Sequence, residues 1–359
     1  MRAGGSREAG LPGQAIGFLT HRGGRIAYAV TGSGPPLLLD LTRIHHLEAY
    51  WRYPPYRRFV QRLARHFTVV RWDRPGFGLS DREPADLSPG GDLAQVECMA
   101  SFLGGGPVAI LAGGGAAPTM VAFAARHPAS VSRLALFGTA AQGPELAIAL
   151  APTTVRALRA APAPAIHGVL AAAATAGCEP EVGSWMTGAL EASADVRTLA
   201  RLAVAVGRID VRAAARSVRA PTLVLHRRDD VVVPLQRGRE LADRIPGAEF
   251  VALPGASHPL YVGETGPAFD ALLPFLGGAD GEAAPAAGEA PLSPREREVA
   301  QLVTLGLTNA EIGRRLAIRR RTVDAHMEHI RAKLSVSSRA RIAAWATHDR
   351  PQPPMERGA

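Results

Sequence analysis

The chain has 359 residues, of which 47% are hydrophobic and 20% charged, enough for two domains and unlike the composition of a disordered chain. Its longest Ala-rich stretch, 160–177, is broken by Pro162, Pro164 and His167, so no apolar run of ~18 residues is present to span a membrane. The formal charge is +9, but 40 of the 41 basic residues are Arg and only Lys333 is Lys, so the position of the charge says more than its size: residues 292–348 hold 11 basic and 5 acidic residues, a surplus of +6.

From the N-terminus, residues 1–17 contain no apolar segment of a secretory signal. The isolated Cys98 and Cys178 form neither a disulfide framework nor a metal spacing. A reducing cytoplasmic location is expected, with no metal site. Short runs rich in Val, Leu and Ile at 25–30, 36–41, 67–72, 108–111, 131–137, 221–226 and 249–253 predict strands. Amphipathic stretches at 56–66, 92–103, 117–127 and 235–245 predict helices. Such alternation predicts an α/β domain over 1–276 with a mostly parallel sheet. The Ala-rich interruption at 140–217 has a helical pattern and is expected to form a lid over the C-terminal edge of that sheet. The segment 277–291, GGADGEAAPAAGEAP, has nothing to bury and predicts a linker.

Three constellations sharpen the α/β reading. Residues 69–80, VVRWDRPGFGLS, read as a strand entering a tight Gly/Pro turn, and 108–117, VAILAGGGAA, as a strand, a Gly-rich turn and a helix start. The strand 221–226 leads to Asp229-Asp230, and His258 follows 28 residues beyond Asp230. Over roughly 16–276 these features resemble the α/β-hydrolase family, in which nucleophile, acid and His follow in that order and the nucleophile sits on a strained G-x-S-x-G elbow. The resemblance assigns the acid position to Asp230 and the base position to His258. The nucleophile position falls on Gly114, within Ala112-Gly113-Gly114-Gly115-Ala116, and glycine has no side chain to attack anything. Asp40-Leu41 stands where such hydrolases usually place a His-Gly pair near the oxyanion hole, and a carboxylate there would oppose an oxyanion.

Other readings of these residues carry less. Ser80 follows a different strand, Cys98 lies inside a predicted helix, and Thr119 is off the elbow, so none is placed as a substitute nucleophile. The His–Asp pair could equally serve as a structural tie between loops. A dinucleotide loop is disfavoured, because Pro118 stands where the third glycine belongs and Gly138, not an acid, ends the next strand. No cofactor is expected.

Beyond the linker, Ser293-Pro294-Arg295-Glu296 is a capping box with Pro at the first helical position, and Thr308-Asn309-Ala310-Glu311 is a second. The short turn between these helices is that of a helix-turn-helix unit. A third helix, about 320–334, carries Val323, Met327, Ile330 and Leu334 as one buried stripe. Its other face presents Arg321, Ala325, Glu328 and Ala332, with Asp324 and Arg331 on the flank and His326 at the core edge. A fourth helix, 338–347, carries Ile342 and Trp345. The string from Leu292 to Ala346 resembles the four-helix LuxR-type DNA-binding domain, with matches at Arg295-Glu296, Gly306, Asn309, Glu311-Ile312, Thr322-Val323, His326 and Lys333-Leu334. The resemblance implies a recognition helix in the major groove, phosphate contacts at helix N-termini and dimerisation through the fourth helix. Residues 349–359 form a tail.

The combined expectation is a cytoplasmic DNA-binding regulator, probed at double-stranded DNA through Thr308, Asn309, Arg319, Arg320, Arg321, Thr322, Asp324, Ala325, Glu328 and Lys333. Its N-terminal domain is expected to be a degenerate hydrolase acting as ligand sensor or dimerisation platform. A small apolar ligand is expected under the lid near Asp40, Leu41, Gly114, Gly115 and His258. The competing readings are an enzyme in which His258 and Asp230 act without a serine, and an N-terminal domain that is purely structural.

Overall fold

The computed structural model describes residues 13–83, 85–104, 106–146, 162, 165–277, 292–334, 336 and 339–348. The expected linker beyond Gly277, the tail 349–359, the first twelve residues and 147–161 of the lid lie outside the described residues.

Strands β1 (Ala15–His21) and β2 (Gly24–Thr31) form an antiparallel hairpin. Its two-residue turn is Arg22-Gly23, both with positive φ, the geometry that matches the twist of the flanking strands. β2 pairs antiparallel with β4 (Thr68–Trp72). The remaining strands β3 (Pro36–Asp40), β5 (Val108–Gly113), β6 (Val131–Phe137), β7 (Thr222–Arg227) and β8 (Glu249–Leu253) continue in parallel, giving the order β1-β2-β4-β3-β5-β6-β7-β8. Each of the seven predicted apolar runs is a strand. β1 was not among them because Gly17 splits its apolar residues Ile16, Phe18 and Leu19 and leaves no continuous Val, Leu and Ile run.

The central strands are apolar throughout because both faces are covered. Alternation sends Leu38, Ile110 and Leu134 to one face and Leu37, Leu39 and Leu111 to the other. The helices α1 (Leu47–Arg52) and α2 (Pro54–Ala64) precede β4, and α3 (Pro89–Phe102) and α4 (Ala117–Arg126) flank β5. Above the sheet's C-terminal edge come α5 (Gly143–Leu146), α6 (Ile166–Ala174), α7 (Pro180–Ser193) and α8 (Val196–Val206), while α9 (Arg212–Ala215) packs against α4. α10 (Leu235–Ala242) and α11 (Gly266–Gly277) complete the layer structure. α3 and α4 pack Met99 and Met120 on the first face, while α2 and α11 pack Phe59 and Phe269 on the second. Each such fully buried side chain contributes about 1.5–3 kcal/mol.

The C-terminal unit has four helices, α12 (Pro294–Thr304), α13 (Asn309–Arg315), α14 (Arg320–Leu334) and α15 (Arg339–His348), around its own core of Val299, Val303, Ile312, Val323, Met327, Ile330, Leu334 and Ile342. It packs on the N-terminal hairpin: α12 meets β1, and α15 meets β1, β2 and β4. Tyr28 Oη donates to the Val303 carbonyl at 3.5 Å. A Cβ on Gly17 would stand 2.3 Å from the Thr304 carbonyl oxygen, so the two backbones approach this closely only because residue 17 is glycine. The fourth helix, which the sequence resemblance associates with dimerisation, is thus partly covered by this chain's own N-terminal strands. Among the described residues no helix is long and apolar enough to cross a membrane.

Candidate functional site

β5 ends at Gly113 and turns through a single 3-10 turn, Gly114–Ala116, directly into α4, whose first turn holds Pro118. Gly114 has φ +49°, the left-handed region that side-chain-bearing residues avoid. Thr139 Oγ1 holds the turn by donating to the Gly114 carbonyl at 2.9 Å. His258 lies above it, and a Cβ built on Gly114 would stand 3.4 Å from His258 Nε2. On the other side of the ring, Nδ1 lies 2.8 Å from Asp230 Oδ2, and the backbone N–H groups of Val232 and Val233 donate to Asp230 Oδ1 at 2.8 and 3.1 Å. Burial works to raise the Asp230 carboxyl, but the His258 contact and these backbone donors outweigh it and hold the group below its ordinary value. The geometry of a nucleophile, base and acid site is therefore complete except for the nucleophile's side chain.

The lid helices close a cavity of about 320 Å³ over this point. Leu41, Gly114, Gly115 and His258 line it together with Ile44, Tyr50, Met186, Leu190, Leu199 and Val206. Asp40 does not. Its carboxylate turns away and accepts from Arg74 Nη1 at 3.0 Å and Nη2 at 2.6 Å. Arg74 Nε in turn donates to Asp92 Oδ1 at 2.6 Å, and Arg43 Nη1 donates to Asp92 Oδ2 at 2.6 Å. The expectation that Asp40 opposes an oxyanion is corrected by this pairing: the four buried charges alternate and sum to zero. Burial alone would raise the Asp92 carboxyl, yet the two guanidiniums, with Thr119 donating to it, hold it down at about 2. Sequence reading missed Arg43, Arg74 and Asp92 as parts of this site.

The other hydroxyl and thiol candidates are placed elsewhere. Ser80 Oγ is buried, donating to the Asp73 carbonyl at 2.5 Å and accepting from Ala27 N at 2.8 Å. Thr119 is committed to Asp92, and Cys98 lies within α3 with its thiol pushed up by burial. Among the described residues no group of His, Cys, Asp and Glu could hold a metal ion.

In the C-terminal unit both capping boxes form: Ser293 Oγ accepts from Glu296 N and Thr308 Oγ1 from Glu311 N, with the glutamates reaching back. The stripe Val323, Met327, Ile330 and Leu334 is buried. Thr308, Arg319, Arg320, Arg321, Thr322, Ala325 and Glu328 are exposed. Three of the expected DNA-facing residues also bond within the unit. Asn309 Nδ2 donates to Asp324 Oδ1 at 2.7 Å while Asn309 Oδ1 accepts from Arg339 Nη1 at 2.7 Å, so Asn309 ties three helices together and Asp324 is already engaged. Lys333 Nζ donates to Glu296 Oε2 at 2.7 Å, joining α14 to α12. Burial works against the Glu296 carboxylate, but Lys333 and the Ser293 donors hold its carboxyl at about 2.

An eight-stranded α/β sheet with an elbow, an acid and a histidine on successive C-terminal edges, joined to a helix-turn-helix unit, defines the class. The chain belongs to the alpha/beta hydrolase fold family, whose model matches residues 44–265. Residues 290–346 match the family described as bacterial regulatory proteins, luxR family. Mb0914c of Mycobacterium bovis, named for an HTH-type transcriptional regulator, is 45% identical over 58 residues, 16% of this chain and 7% of that protein. The nitrate/nitrite response regulator protein NarL of Escherichia coli K12 is 41% identical over 59 residues, 16% of this chain and 27% of NarL. The chain therefore spans well under a third of the length of these curated relatives. The enol-lactonase of Burkholderia xenovorans LB400 superposes with a TM-score of 0.62 at 25% identity, covering 73% of this chain and all of the lactonase.

Proposed function

We propose that this chain is a cytoplasmic DNA-binding transcriptional regulator whose hydrolase-fold domain does not hydrolyse its ligand but senses it. The observation that carries the reading is Gly114: the elbow, the His258–Asp230 pair and the lid-covered apolar cavity are all built around a residue with no nucleophile. The LuxR-type segment supplies the output, with double-stranded DNA as partner. A homodimer is the state in which two such heads meet a two-fold operator.

A second reading rests on His258, whose Nε2 faces the cavity and could take a proton from water without an acyl-enzyme. Both are tested with p-nitrophenyl butyrate and a fluorophosphonate probe. The sensor reading expects no ester turnover above buffer and no label on the wild-type chain. It expects Gly114→Ser to take up one label per chain, lost again in the double variant with His258→Ala, because the new Oγ arrives beside Nε2. Wild-type turnover that disappears in His258→Ala would establish the enzyme instead.

A further inference from the structure

The cavity's polar end has one conspicuous vacancy of chemistry. Asp230 Oδ2 accepts from Nδ1 of His258, which places the proton of the neutral imidazole on Nδ1 and leaves the Nε2 lone pair facing the space above Gly114. Among the described residues Nε2 meets no donor. A group added at the Gly114 Cβ position has only His258 Nε2 at 3.4 Å and the Leu41 carbonyl oxygen at 3.9 Å as near neighbours, and both are hydrogen-bond acceptors. Apart from the flanking Gly113 and Gly115, the atoms nearest this space are thus acceptors, and His258 Nε2 asks for a donor.

The charge balance narrows the donor further. Arg43, which lines the cavity, is matched in charge by Asp92 while its buried Nε has no partner, and Asp230 keeps its negative charge beside the neutral His258. A carboxylate ligand would leave one uncompensated negative charge among Leu41, Ile44, Met186, Leu190 and Leu199, at a desolvation cost that these side chains cannot offset. At about 320 Å³ the cavity stands at the small end of ligand sites, which span ~300–1,000 Å³.

Resting on the sensor reading above, we propose that the ligand is a small, uncharged apolar molecule carrying a hydroxyl, and that this hydroxyl occupies the place of the absent serine hydroxyl and donates to His258 Nε2. The protein would thus have exchanged its own nucleophile for a recognition group belonging to the ligand. Its selectivity follows from leaving the buried Nε2 acceptor unpaired whenever the hydroxyl is missing.

The test is isothermal titration calorimetry of the full chain with 1-octanol and 4-tert-butylphenol, each against its own methyl ether, and with octanoate. Each alcohol is expected to bind about tenfold tighter than its ether, and octanoate more weakly than octanol. The alcohol preference should vanish in Gly114→Ser, whose own hydroxyl fills the space, and in His258→Phe, which removes the acceptor; thermal melts establish that each variant is folded. Ethers binding as tightly as alcohols, or octanoate binding tightest, would overturn this proposal while leaving a sensor in place. No binding by any of the five compounds would overturn the sensor reading with it.

Discussion

Asp92 carries more of the N-terminal domain's architecture than its position in the first turn of α3 suggests. It accepts from Arg43 and Arg74 at 2.6 Å each, and its loss would leave the buried Arg43 with no carboxylate partner and Arg74 with Asp40 alone. Asp92→Asn is therefore expected to destabilise the domain by about 3–5 kcal/mol, the cost of breaking a buried charge network. With the folded carboxyl at about 2 against an ordinary 3.8, its contribution is fully present above about pH 4 and is lost as pH falls towards 2. Urea unfolding of wild type and variant at pH 7 and at steps from 5 to 2.5 measures both effects; equal stabilities at pH 7 would contradict the network. At this scale Gly114, Asp230 and His258 were legible because chain order and local pattern mark them. The ladder was not, since its members lie 34, 18 and 49 residues apart and no local spacing links them.

Among the elements, α14 was readable because a four-three-four apolar stripe defines it, while β1 was silent because Gly17 splits its apolar Ile16, Phe18 and Leu19. What periodicity could not show is which polar residues are spent inside the unit. Asp324 and Lys333 look free for DNA on a helical projection, yet Asn309 holds one and Glu296 the other. Glu328 is exposed on the proposed groove-facing side, and Arg319, Arg320 and Arg321 are exposed at the helix entrance, where the dipole favours phosphate. Replacing Arg321 with Ala should weaken all duplexes alike and reduce the magnitude of the salt slope by ~0.9 for one lost phosphate contact. Glu328→Ala should change which sequences are preferred, since an acid can accept from cytosine N4. Anisotropy on a panel of duplexes across salt concentrations separates the two; sequence preference that moves with Arg321 and not with Glu328 would mean the recognition face is rotated from this assignment.

For the whole molecule, the contact between the head and the β1–β2 hairpin sets the C-terminal unit against the same sheet that carries the cavity. α15 lies on β1, β2 and β4, while Trp72 at the end of β4 leads into the turn holding Arg74, which pairs with Asp40 behind the cavity. The elements that hold the head and the elements that floor the cavity are thus neighbours in one sheet. The central claim is that occupancy of the cavity alters DNA binding, and its most direct measurement is the affinity of the full chain for a duplex selected from a random library, with and without saturating 1-octanol. The account predicts at least a fivefold change in Kd, the smallest usual allosteric coupling, that is absent in His258→Phe. An unchanged Kd under conditions where calorimetry shows the cavity filled would contradict it.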